Sequence, residues 1–182
     1  MEKLRFLHIP KTAGSTFSRI LEHQYRGKGH FSFSGDNPSD IKRFRELSEE
    51  ERSAVELFSG HAPILTGLPE ADEIPIITIL RDPIKRVMSF CQHVSEGKSP
   101  HLRKSFPPET FGLDEFLYSE NNEISNLQSR MLIDFEKHRE RPLLKSSDPT
   151  EMKDVALDNL FNIVFCYGIQ ECFDESMILF AS

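Results

Sequence analysis

Residues 6–17 read FLHIPKTAGSTF, an apolar run that breaks at Pro10 and passes through Lys11, Thr12, Ala13, Gly14, Ser15 and Thr16 before apolar character returns at Phe17. A strand that ends in a glycine-containing turn and feeds a helix aims backbone N–H groups and a helix N-terminus at one point, an arrangement suited to phosphate. In this reading Gly14 takes a backbone conformation closed to other residues and lets a ligand approach. Lys11 adds a point charge, and the hydroxyls of Thr12, Ser15 and Thr16 donate hydrogen bonds. The plain alternative is a strand-to-helix turn capped by Ser15. The nucleotide motif G-x-x-x-x-G-K-[ST] is absent, because here the lysine precedes the glycine. Gly97-Lys98-Ser99 imitates the end of that motif, but Gln92 stands where its first glycine belongs and the segment before it reads as helix.

The rest of the chain alternates short β-rich runs with longer helix-compatible ones, the pattern of α/β layering. Strands are predicted at 4–9, 55–60, 74–80 and 162–169. Two of these are nearly continuous apolar runs, as expected of a mainly parallel sheet covered on both faces. Helices are predicted at 15–25, 47–55, 83–95, 113–118, 124–134 and 151–160, with a last one from Asp174. Ser48 with Glu51 fits a capping box, and Asp82-Pro83 places a capping carboxylate before a proline at the first helical position. Residues 27–40, 96–112 and 137–150 read as loops. There is no internal repeat, and 182 residues suit one domain spanning 1–182.

Charge and cysteines narrow the function. With 22 basic and 29 acidic side chains the formal charge is −7, which argues against a broad surface for nucleic acid or anionic lipid, so any anion site is local. Cys91, Cys166 and Cys172 are odd in number and widely spaced, which points to a reducing compartment instead of a disulfide framework. The first apolar run is too short for a secretory core or a membrane span, so a cytoplasmic protein is expected.

A second stretch, TILRDPIKRVMSF at 78–90, ends a buried strand at Arg81 and opens a helix at Asp82-Pro83. In open parallel sheets ligands bind beyond the carboxyl ends of the strands, so Arg81 and the Lys11 turn face one crevice if their strands are neighbours. Ser89 lies one turn beyond Lys85 and Arg86 and is placed to share a phosphate with Arg81. Otherwise Arg81 pairs with Asp82 or another carboxylate, and Ser89 is a small residue at a helix interface.

Together the two stretches resemble the cofactor-binding segments of the sulfotransferases that use 3′-phosphoadenosine 5′-phosphosulfate (PAPS). The likeness is to the branch containing the uronosyl 2-O-sulfotransferases and bacterial relatives. It is carried by H-I-P-K-T-x-G at 8–14 and R-D-P-x-x-R-x-x-S at 81–89, with weaker likenesses at Gly60-His61, at 126–130 and at 164–176. The resemblance implies a P-loop-like three-layer α/β domain. In it Lys11, Thr12, Ala13, Gly14, Ser15 and Thr16 cradle the 5′-phosphosulfate, Arg81 and Ser89 bind the 3′-phosphate, and no metal is required. The seven histidines and three cysteines form no closely spaced ligand set. Lys11 would stabilise the leaving phosphate, a contribution on the order of 3 kcal/mol.

The resemblance implies a hydroxylated small molecule or saccharide as acceptor, and its proton needs a base. His61 follows a strand through Gly60, and in the 2-O-sulfotransferases a histidine after glycine has this role; where those enzymes carry a further histidine before the glycine, this chain has Ser59. His8 is expected to hydrogen-bond inside the fold and carries no chemistry, while His93 and His101 are unranked. Asn126 and Arg130 are expected to share a helix face. Two other readings stay open. One is a Mg²⁺-dependent small-molecule kinase, for which Asp82 would hold the metal. The other is a non-catalytic PAPS-binding domain, to which an ending inside an apparent helix lends some weight. Acceptor identity and oligomeric state are left open by the sequence.

Overall fold

Five short strands, β1 (Leu4–Leu7), β2 (Gly29–Phe33), β3 (Val55–Gly60), β4 (Ile76–Leu80) and β5 (Cys166–Ile169), form one sheet in the order β2-β3-β1-β4-β5. Every neighbouring pair is parallel. The computed structural model describes residues 2–119, 121–133 and 149–181.

Alternation along the strands distributes the core to two faces. Phe6, Leu57, Ile77 and Ile79 face one side, where Phe17 and Leu21 of helix α1 (Gly14–Gln24) and Phe180 of the last helix (Phe173–Ala181) cover them. Leu7 and Ile76 face the other, against Met131 of a short helix (Leu127–Met131) and Met152, Ala156 and Leu160 of helix Pro149–Asn162. The result is a helix–sheet–helix sandwich, the three-layer α/β architecture expected. Helices α2 (Asn37–Arg45), α3 (Glu49–Ala54) and α4 (Pro69–Asp72) precede α5 (Pro83–Ser95), whose Phe90 and Val94 form with Leu102, Phe106 and Phe116 a smaller cluster that supports the 96–125 segment at one end of the sheet.

The strands predicted at 55–60 and the helix predicted at 83–95 have the bounds found. The capping box at Ser48 and Glu51 is formed, and Asp82 accepts from Lys85 N at 2.9 Å. Residues 27–40 do not form a loop. They contain β2 and open a helix, Asn37–Arg45. Gly and Ser in GHFSF outweighed the alternation of Phe31 and Phe33, which are buried against Phe58 and Phe44 while His30 and Ser32 face out. The helix predicted over 124–134 is confined to Leu127–Met131, because Asn126 sits in the left-handed region (φ 54) and cannot continue it. The predicted loop at 137–150 falls largely outside the described residues.

Because all strands run the same way, the turns after β1, β3 and β4 meet at one edge of the sheet. The connection after β1 leads to one side, toward β2, and the connection after β4 leads to the other, toward β5. The crevice between β1 and β4 is therefore the topological switch point, where open parallel sheets take ligands. Lys11 follows β1 and Arg81 follows β4.

Candidate active site

The turn from Pro10 to Ala13 owes its shape to two strained residues. Lys11 (φ 71) and Ala13 (φ 66) both occupy the left-handed region that non-glycine residues avoid. Gly14, where that strain was expected, has ordinary helical geometry and is needed as glycine for another reason: a Cβ there would stand 2.0 Å from His8 Cδ2. Thr12 is fully buried and its hydroxyl donates to Ile9 O at 2.8 Å, so its side chain holds the turn and is not free for a ligand. Ser15 does not cap α1; Ala13 occupies the cap position, and Ser15 and Thr16 lie exposed in the first turn. The folded turn leaves the N–H groups of residues 11–15 without an acceptor among the described residues, while Thr16 N and Phe17 N return to Ala13 O. Successive unpaired N–H groups around left-handed residues form a concave anion seat.

Cations surround this seat. Arg81 Nη1 donates to Lys11 O at 3.1 Å, so the two segments meet directly. Its backbone is clamped by Gln128, which donates to Arg81 O at 2.8 Å and accepts from Arg81 N at 2.9 Å. Its nearest carboxylate is Glu171, 4.0 Å away, and not Asp82, which caps α5. Burial holds the Lys11 ammonium below the usual lysine range, helped by the nearby charges of Lys98 and Arg81 and opposed by Glu96. Lys98 belongs to the Gly97-Lys98-Ser99 segment, which is no nucleotide motif yet folds against the site: its N–H bonds His93 O at 3.0 Å. Motif matching was blind to it, because the proximity arises from α5 reversing at Gly97 (φ 67).

A cavity of about 850 Å³ opens beside the turn. Of the predicted residues, Lys11, Ser15 and His61 line it, with His93, His101 and Arg130; Thr12, Ala13, Gly14, Thr16, Arg81 and Ser89 do not. Ser89 is half-buried on α5, and its hydroxyl has no hydrogen-bond partner among the described residues. Arg130 donates through Nε to Ser125 O at 3.0 Å instead of pairing with Asn126, whose carbonyl accepts from Arg130 N. His101 bonds Glu123 at 2.8 Å, and Glu123 is held by buried Arg86 donating to its carbonyl at 2.9 Å.

His61 follows Gly60, which admits no side chain: its φ is 129, and an added Cβ would stand 2.2 Å from Phe33 O. His61 Nδ1 lies 2.7 Å from His8 O. A carbonyl only accepts, so Nδ1 carries the proton and Nε2 keeps a lone pair. Ser59, in place of a further histidine, is buried and bonds His30 Nε2 at 2.8 Å. His8 lies one residue beyond β1. Contrary to expectation its ring nitrogens have no partner among the described residues, and the ring lines the cavity with its centroid 4.4 Å from that of His61.

Burial, helped by the charge of His61, pushes His8 down to about 4, and burial lowers His30 and His93 in the same direction. Between the ordinary histidine value near 6.5 and about 4, the unfolded chain takes up a proton that the folded one refuses. Stability is therefore complete above pH 6.5 and is expected to fall as pH drops toward 4, with His8 contributing at most about 3 kcal/mol. Urea midpoints at pH 7 and pH 4.5 for wild type and His8→Leu check this: the variant should lose less stability on acidification.

No family model matches the chain, and no curated protein matches it. Among solved structures it is similar to mouse sulfotransferase SULT7A1 complexed with PAP, at 14% sequence identity and a TM-score of 0.44, over 91% of this chain and 70% of that one.

Proposed function

We propose that the chain is a PAPS-dependent sulfotransferase acting on an acceptor hydroxyl. One observation carries this reading: the turn whose N–H groups at residues 11–15 lack an acceptor among the described residues puts Lys11 and Ser15 on the same cavity as a histidine whose Nδ1 is tied down and whose Nε2 is open. Such a site holds a strong anion on one side and removes a proton on the other. Lys98 and Arg81 each repel the Lys11 ammonium, and a polyanion bound beside it relieves that repulsion.

Bound PAPS supplies an activated sulfuryl group. The N–H groups from Lys11 to Ser15 hold the 5′-phosphosulfate, with Thr16 in the first turn of α1 beside it. Arg81 spends Nη1 on Lys11 O and keeps Nη2 for the 3′-phosphate, which Ser89 shares from α5. His61 Nε2 takes the proton of the attacking hydroxyl as its oxygen bonds to sulfur. Lys11 and the turn meet the negative charge that grows on the phosphate oxygen as the old S–O bond breaks. Phosphoryl transfer is disfavoured by Asp82, the carboxylate that would have to hold Mg²⁺, because it is committed to the N-terminus of α5.

Thermal-shift titration tests the assignment. PAP and PAPS without added metal are expected to raise the midpoint by roughly 5–10 °C at a hundredfold excess over Kd. Stabilisation by Mg²⁺-ATP alone would transfer the chain to the phosphoryl-transfer class.

A further inference from the structure

We infer that His8 is a positioning residue that couples the anion-binding turn to the proton-accepting histidine. This rests on the reading of His61 as the base. The His8 imidazole is gripped from three directions. It stacks on Phe6, with centroids 5.4 Å apart and planes 16° from parallel. It fills the space over Gly14, where an added Cβ would meet Cδ2 at 2.0 Å and Nε2 at 2.2 Å. Its centroid lies 4.4 Å from that of His61, at an interplanar angle of 38°. The residue's backbone is fixed as well: His8 N donates to Gly60 O at 2.9 Å, and His8 O receives the Nδ1 proton of His61.

His61 is otherwise exposed, and among the described residues that carbonyl is its one side-chain hydrogen-bond partner. An exposed imidazole with a single hydrogen bond turns freely unless something packs on its ring. The His8 ring is that packing surface, and its opposite boundary is the first residue of α1. A shift of the 11–15 turn at Gly14 therefore moves the His8 ring and, through it, His61. The ring must also stay neutral for this to work, since a charged neighbour would oppose proton uptake by His61. Burial favours that neutral state.

The test reads His61 itself. In long-range ¹H–¹⁵N spectra of histidine-labelled protein, wild-type His61 should show a single neutral tautomer protonated at Nδ1. His8→Ala removes the ring and keeps the carbonyl; His61 should then give averaged tautomers. Gly14→Ala displaces the ring and should do the same, and the double variant should be no worse than either single one. Turnover should fall roughly 10- to 100-fold in His8→Ala, while stabilisation by PAP changes little. If His61 keeps one tautomer and unchanged shifts in His8→Ala, the coupling does not exist; that variant only deletes atoms and decides the matter even if Gly14→Ala fails to fold. Absence of stabilisation of the wild type by PAP would overturn the functional reading and leave the spectroscopic result standing.

Discussion

Replacing His61 by alanine is expected to lower sulfuryl-transfer turnover by roughly 10²–10⁴-fold, the usual worth of a positioned general base. The reasoning starts from Gly60. Its conformation and its contact with Phe33 O end β3 and swing the next residue toward the β1 turn. There Nδ1 finds His8 O, which leaves Nε2 as the only ring nitrogen able to accept a proton. Because no other group in the fold hydrogen-bonds the His61 side chain among the described residues, its loss should cost little stability and little PAP affinity. The combination separates catalysis from binding. Unchanged turnover in His61→Ala, with stabilisation by PAP retained, would reassign the base. Turnover absent in wild type and variant alike, with PAP bound, would identify a binding domain without activity. Labelled sulfate incorporation into a panel of hydroxylated acceptors supplies the measurement.

Arg5→Ala should unfold the chain at markedly lower denaturant, with a loss of about 3–5 kcal/mol. Arg5 stands in the central strand and is 1% exposed. Its Nη1 reaches Asp72 Oδ1 at 2.8 Å and Ile64 O at 2.9 Å, and Nη2 donates to Pro63 O. Burial pulls its pKa down to about 10, and the Asp72 charge opposes that shift, so it stays protonated at neutral pH. Removing it strands two carbonyls and leaves Asp72 without its cation. Asp72 also accepts from Thr66 N at 2.9 Å and Gly67 N at 2.8 Å, so the whole 63–72 segment depends on the pair. That segment begins two residues after His61. Against a total stability of about 5–15 kcal/mol, such a loss is severe. A urea midpoint lowered by less than the equivalent of 1 kcal/mol would show that water replaces the guanidinium at no great cost.

The Arg5 effect does not follow from local pattern alone. Arg5 interrupts an apolar run and reads as a flaw in a strand; only the return of the chain at Asp72, 67 residues later, explains it. The same is true of His8. Within the sequence it is a polar residue beside a strand, and its meaning comes from Gly14 lacking a side chain and from Gly60 delivering His61 onto its ring. Gly14 itself illustrates a right residue with a wrong reason. Glycine at that place suggests backbone freedom, whereas the positive φ angles fall on Lys11 and Ala13.

What the chain declares locally is considerable. Runs buried on both faces announced a parallel sheet, Asp82-Pro83 and Ser48 with Glu51 announced helix starts, and the order strand, Lys11, Gly14, helix announced the turn between β1 and α1. These signals rest on interactions within a few residues, and the side chains that make them are adjacent in the text. The tertiary structure decided the rest. It set β1 between β3 and β4, brought Arg81 onto Lys11 O, folded Lys98 and His93 toward the same turn, and gave His61 its tautomer. Those are contacts between segments distant along the chain, where strand order and backbone carbonyls, not residue identity, determine which groups meet.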